Sequence, residues 1–290
     1  MNLKRVKEFI IERSIFLSGM ASIVFVILIF SFLLKEGLPF FRVYPLRDFF
    51  TGRFWYPISE PAQFGIIPLI LGSLIVTLGA ILIVVPLGLA TAIFIAEIAQ
   101  GKSKEILKCS IEFLETTPSV VIGFIGLVVL APFIRKIFGL STGLTAFCGS
   151  IMLAIMSIPT VVSIMEDAIT AVPKVYKEAG LAIGATHWQT IWRVILPAAS
   201  SGIIAAIMLG IGRCIGEPMV VLMVTGNAAV IPKTLLQPVR TITATIASEM
   251  GEAVQGSEHY FALFALGIIL FSLSFVVNLI ANFFIHRGVK

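Results

Sequence analysis

The stretch Lys174-Val175-Tyr176-Lys177-Glu178-Ala179-Gly180-Leu181-Ala182-Ile183-Gly184, continued by Thr186-His187-Trp188-Gln189 and closed by Leu196-Pro197, is a polar island in a very apolar chain. Hydrophobic segments flank it on both sides, each long enough to cross a bilayer. Pro173 suits a helix start, and Gly184 suits the stop of that helix. Val175, Ala179, Ala182 and Ile183 give the helix a modest apolar face. Thr186, with Gln189 three residues on, reads as a capping box, each side chain satisfying a free backbone N–H of the other. A second helix then runs to Leu196, and Pro197 ends it. A membrane chain that builds a compact helix–turn–helix on one side presents a docking surface.

Composition sets the class. Hydrophobic residues make up 58% of the 290 and charged ones 13%, against roughly a quarter charged in soluble domains. A helical span needs roughly 20 largely apolar residues. Six segments qualify, about 15–35, 65–97, 118–139, 143–165, 199–226 and 260–284, with the polar loop at 170–197. The expected fold is all-α, a polytopic membrane protein of six transmembrane helices in one domain over 1–290. The basic N-terminus and the apolar run from Ile15 imitate a secretory leader. That run ends in Leu33-Leu34-Lys35-Glu36 without a small-residue cleavage site, so it reads as a retained first span.

Lysine and arginine bias gives the topology. With the N-terminus cytoplasmic, that side holds Lys4, Arg5, Lys7, Arg13, Lys102, Lys104, Lys108, Lys174, Lys177, Arg193, Arg287 and Lys290. The other side holds Lys35, Arg42, Arg47, Arg53, Arg135, Lys136, Lys233 and Arg240. Twelve against eight puts both termini and the polar island in the cytoplasm. The net charge of +5 follows from this topology and does not indicate nucleic acid. Cys109, Cys148 and Cys214 show no disulfide or metal spacing. His187, His259 and His286 fall in separate loops, so neither a metal site nor an enzyme is expected.

The first outer loop, 36–63, is crowded with aromatic side chains (Phe40, Phe41, Tyr44, Phe49, Phe50, Phe54, Trp55, Tyr56), which suggests an elbow lying on the membrane. Pro68 and Pro86 predict a tilted or kinked second span. Thr116, Thr117 and Ser119 are placed to cap the third, with Pro118 in its first turn and Glu115 as a dipole partner. Glu166-Asp167 mark the emergence of the fourth span. The second outer loop, 227–259, looks helical from Thr241 to Met250 and is long enough to receive a partner.

The fifth span carries the unusual chemistry. Arg213 and Glu217, four residues apart, fall on one helical face. Arg213 lies roughly 20 Å from Ser200 at ~1.5 Å per residue, near the midplane. A charge there costs at least ~2.5–3.5 kcal/mol, so both side chains must face protein or water. Either they form a pair that locks helix packing, or Arg213 lines a path and meets an anion, with Glu217 tuning it. Gly212 and Gly216 form a Gly-x3-Gly that permits close helix approach, and Pro218 frees a carbonyl near Cys214. The guanidinium fork suits any oxyanion.

Glu178-Ala179-Gly180-x3-Gly184-x9-Val194-x-Leu196-Pro197 resembles the EAA loop of ABC importer permeases, with Gly180 and Val194 as mild departures. The resemblance implies the MetI-like permease fold, with this loop as the coupling element that fits a cleft on an ATPase subunit. A phosphate-binding Walker A loop is not expected on this chain: Gly101-Lys102-Ser103 copies its tail, but Ala96 stands where the pattern needs Gly. ATP and Mg would therefore be used by a separate subunit, and no cofactor would be bound here. Glu115-Thr116-Thr117-Pro118-Ser119-Val120-Val121-Ile122-Gly123-Phe124 is similar to a segment of Pst-type phosphate permeases. So are Gly212-Arg213-Cys214-Ile215-Gly216-Glu217-Pro218-Met219 with Thr225-Gly226-Asn227, and Phe50-Thr51-Gly52-Arg53-Phe54-Trp55-Tyr56-Pro57. They point to the C-type subunit, although Pro218 replaces the more usual Thr.

That resemblance implies half of a phosphate path worked by alternating access in a prokaryotic inner membrane. Its partners would be a second, PstA-type permease, a PstB-type ATPase dimer and a PstS-type binding protein outside. The competing readings are a molybdate, tungstate or sulfate importer, and an ion-coupled secondary transporter with Arg213 and Glu217 in a proton relay. The latter calls for internal inverted repeats, which the sequence does not show.

Overall fold

Long apolar segments fold as helices because only intra-segment hydrogen bonding satisfies a backbone in lipid. The computed structural model describes residues 3–287; Lys290, one of the charges in the topology count, lies outside them. Five helices are long and apolar enough to cross a membrane. Span one lies in Leu3–Gly37, and span two is Ile67–Ile93 prolonged by a wide π-turn, Phe94–Ile98. Span three is Ser119–Phe138, span four Ala146–Thr170 and span six Glu258–Arg287. The remaining segment, 199–226, is broken. Ser200–Gly216 turns by 70° from the preceding His187–Ala198 and is followed by a short helix, Met219–Val224. Pro68 sits in the first turn of span two, where it costs nothing, while Pro86 lies inside the helix.

Spans two to five share one core, in which Val76, Ala80, Val84, Leu153, Val161 and Met165 are fully buried. Hydrocarbon tails are as apolar as these side chains, so close packing, not water exclusion, drives the helices together. Span five achieves it with small residues four apart: Gly202, Ala206, Gly210 and Cys214. A Cβ on Gly202 would lie 2.4 Å from that of Ala168, and one on Gly210 would lie 2.7 Å from a Val161 methyl. Cys214 Sγ and Ser157 Oγ meet at 3.2 Å. Within this chain the expected Gly212-x3-Gly216 contact is not made. Two residues turn a helix by about 200°, so Gly212 points away from the Gly210 stripe. A Cβ at Gly212 or Gly216 would meet nothing within 4 Å.

The aromatic outer loop divides its side chains, with Phe50, Phe54 and Tyr56 about half exposed and the others turned inward. Phe40, Phe49, Trp55 and Phe64 are almost completely buried, together with Ile66, Leu69, Ile242, Leu263 and Leu266. A two-residue hairpin, Trp55–Tyr56 against Gln63–Phe64, closes the loop and is the only sheet among the described residues. Trp55 Nε1 donates to Glu249 Oε2 at 3.0 Å, and His259 Nε2 stands 2.8 Å from the same oxygen. Arg240 bonds the other Glu249 oxygen and donates through Nε to the carbonyl of Asn227 at 2.9 Å. One carboxylate thus ties both outer loops to the head of span six. The helix expected from Thr241 is present as Ile242–Glu249, with Thr241 accepting from the Ala244 N–H.

Gly202→Val should overpack the span four–span five seam and destabilise by about 1–3 kcal/mol, lowering the thermal midpoint of the purified protein. Gly212→Ala, which adds a methyl into open space, should leave that midpoint unchanged.

Candidate functional site

Three elements converge on Arg213. Span five brings the guanidinium, span four brings Thr160, and the helix Gly101–Glu115 ends on Glu115. Arg213 Nη1 donates to Thr160 Oγ1 at 2.5 Å, and Thr160 Oγ1 donates onward to Glu115 Oε1 at 2.7 Å. Arg213 Nη1 is 3.6 Å from the same carboxylate oxygen. The charge is therefore neutralised, but not enclosed: the Arg213 and Glu115 side chains are 29% and 37% exposed. Arg213 Nε is buried and has no hydrogen-bond partner. The part of the guanidinium that stays exposed is where an anion can be held.

Glu217 is not the partner of Arg213. The helix stops at Gly216 and Glu217 is extended, φ −82° and ψ 114°. The cause is Pro218, which disfavours helical geometry in the residue before it and has no N–H to give Cys214. The same-face argument required an unbroken helix. Glu217 Oε1 instead accepts the N–H groups of Met219 and Val220 at 2.9 and 3.2 Å, opening the short helix after the break. Its carbonyl accepts from Thr243 Oγ1 at 3.1 Å, which joins the break to the outer helix. Glu217, buried, closes a helix start, and Gly216 and Pro218 flank the break.

Glu115 is the residue that local reading undervalued. It is the last residue of its own amphipathic helix and turns across to span four. The expected hydroxyl caps are absent too: Pro118 occupies the cap position of span three with no side-chain bond, and Thr116 Oγ1 donates back to the Phe113 carbonyl. Span four also runs further than expected, to Thr170; of the expected exit pair Asp167 is 67% exposed, but Glu166 is not. It is buried between Lys104 Nζ at 3.3 Å and Lys108 Nζ at 2.8 Å, and accepts from Thr170 Oγ1 at 3.0 Å. The hydrogen bond to Glu166 holds the Lys108 ammonium above the usual lysine value, so it stays charged at physiological pH. These bonds fix the helix that aims Glu115.

The polar island folds as two short helices. Lys174–Ala182 ends at Gly184, whose φ of +87° favours glycine, and the Thr186–Gln189 capping box is fully formed. Glu178 and Ala179 are exposed, and Gly180 is buried, with room for a Cβ only 3.1 Å from Thr190. The modest apolar face is open, since Val175 is 69% and Ile183 87% exposed. With Tyr176, Trp188 and Trp192 they make an apolar surface, the two indoles meeting edge to face at 5.8 Å. Pro197 does not end the second helix. A π-turn, Ile191–Ile195, widens the backbone just before Leu196-Pro197 and spares the ring its clash with the preceding turn, so the helix continues to Ala198. Lys177 bonds Glu97 at the end of span two, and His187 Nε2 lies 3.5 Å from the same oxygen, which seats the island on the bundle.

Known proteins can be set beside this geometry. Residues 85–287 match the family model of the binding-protein-dependent transport system inner membrane component. The chain is 40% identical to a probable ABC transporter permease, YqgH, of Bacillus subtilis over 88% of this chain and 84% of that one. It is 38% identical to the phosphate transport system permease PstC of Mesorhizobium japonicum, over 83% and 78% respectively. The PstC of Haemophilus influenzae is 33% identical, over 83% and 81%. Among solved structures, a bacterial alginate ABC transporter superposes with a TM-score of 0.65 at 19% identity, covering 99% of this chain and 98% of that one. The MetNI methionine ABC transporter gives 0.61 at 19%, covering 80% and 100%. Both share the fold.

Replacing Lys104 and Lys108 together by Ala strands a buried carboxylate, a change that costs about 3–5 kcal/mol. The double variant should melt well below wild type, and adding Glu166→Gln should restore much of the loss.

Proposed function

The chain belongs to the family of inner-membrane components of binding-protein-dependent transport systems, and on that premise we propose that its cargo is inorganic phosphate and that Arg213 meets it. It is a membrane-embedded transporter subunit, not an enzyme. The observation that carries the site is Arg213, a permanent charge within a span whose side chain stays partly exposed. Any oxyanion fits a guanidinium. The choice of phosphate rests on the PstC relatives, which align over about four-fifths of both chains.

The rest of the molecule supports an importer of that kind. The exposed surface around Val175, Tyr176, Ile183, Trp188 and Trp192 is the docking face for a separate ATPase dimer of the PstB type, which uses the ATP and Mg. Glu178, Ala179, Gly180, Gly184, Leu196 and Pro197 build it, and Glu97 passes its movement to span two. A PstA-type permease completes the path, beside an apolar groove of about 400 Å³ that includes Ile122, Val129, Phe133 and Ile155. On the opposite face a polar cavity of about 630 Å³, lined by Trp55, Arg240, Glu249 and His259, receives a PstS-type binding protein. Both termini are then cytoplasmic. The break at Gly216–Pro218 gives span five a hinge, with Gly212 and Gly216 leaving room beside Arg213 for alternating access.

Arg213→Ala in the reconstituted complex should abolish ATP-dependent uptake of radiolabelled phosphate while the subunits still copurify; loss of assembly together with uptake would make Arg213 a packing residue. Gly184→Val, strained by about 1–2 kcal/mol in the left-handed region, should lower the amount of ATPase that copurifies and leave the membrane spans folded.

A further inference from the structure

Glu115 has one oxygen engaged and one free. Oε1 accepts from Thr160, while no described group bonds Oε2, and the side chain is 37% exposed. The helix that carries it is pinned to span four at both ends, by Lys104 and Lys108 on Glu166 and by Glu115 on Thr160. The free oxygen is therefore held beside Arg213 as a fixed part of the site. An anion drawn to the exposed part of the Arg213 guanidinium meets a carboxylate on its other flank.

We infer that Glu115 is a specificity-determining residue, the acceptor that selects oxyanions still carrying a proton. This rests on the reading that Arg213 meets the transported anion. An ionised carboxylate only accepts hydrogen bonds. Phosphate and arsenate keep a proton at neutral pH and can donate it to Glu115 Oε2 while their other oxygens accept from Arg213. Sulfate and molybdate have no proton to give. Either would set a bare oxygen against the carboxylate, leaving both acceptors unpaired and two like charges in contact. Sites built to bond a hydroxyl discriminate against analogues that lack it through the partner left unpaired. Glu115 therefore excludes the wrong tetrahedral anions without a change of pocket size. The Thr160 bond orients the carboxylate and keeps it from collapsing fully onto the guanidinium in the empty state.

The test is equilibrium binding of 32P-phosphate and 35S-sulfate to the purified permease–ATPase complex without the binding protein, so that no other subunit supplies the selection. Wild type should bind phosphate, be displaced by arsenate, and resist sulfate and molybdate. Glu115→Gln, whose amide can both accept from Thr160 and donate to a bare oxygen, should narrow the phosphate-to-sulfate ratio by about tenfold or more. Glu115→Asp keeps the acceptor and should retain most of the preference, which separates selection from folding. If Glu115→Gln keeps the wild-type ratio while Arg213→Ala abolishes binding, the inference fails and the anion site stands. If Arg213→Ala binds both anions normally, the anion site itself fails and the inference with it.

Discussion

A guanidinium within a membrane helix constrains everything around it. Left to lipid, Arg213 would cost at least ~2.5–3.5 kcal/mol, so the bundle must supply acceptors at its depth. Span four supplies Thr160, and the helix Gly101–Glu115 supplies Glu115. That helix in turn needs an anchor, which Glu166 provides by accepting two lysines. Span five reaches span four closely enough for this only because Gly202, Ala206 and Gly210 remove side-chain bulk along the seam. The charge is thus linked through Thr160 and Glu115 to the helix Gly101–Glu115 and through that helix to the buried ion cluster.

The two ends of the molecule are built on different physics. The outer end has a dry aromatic core knitted by Glu249, which bonds Trp55, Arg240 and His259 at once. Such a rigid cap suits a surface that receives another protein. The opposite end leaves its aromatics outside: Trp188 and Trp192 are half exposed on an island seated on span two through Glu97. The island is joined to span two through Glu97 and to span five through the 70° turn at Ala198–Ser200.

Local chemistry was readable where it was complete within a few residues. The spans follow from hydropathy, Gly184 from its stop position, and the Thr186–Gln189 box from its spacing, because each contact lies within one turn. Contacts between distant residues left no such trace. Trp55 and Glu249 are 194 positions apart, and nothing near either suggests the other. Glu115 looked like a dipole partner because its true neighbours, Thr160 and Arg213, are on other helices. Glu166 looked like an exit into water for the same reason. The break before Pro218 is different: its rule is local, and reading 199–226 as one helix set it aside. The pairing of Arg213 with Glu217 was lost with that continuity.

The most direct measurement is a cryo-electron microscopy map of the complete permease–ATPase complex trapped with phosphate in the membrane. The account predicts tetrahedral density within hydrogen-bond distance of Arg213, with the Glu115 carboxylate on its opposite flank. Phosphate density elsewhere, with Arg213 still closed on Thr160 and Glu115, would contradict it.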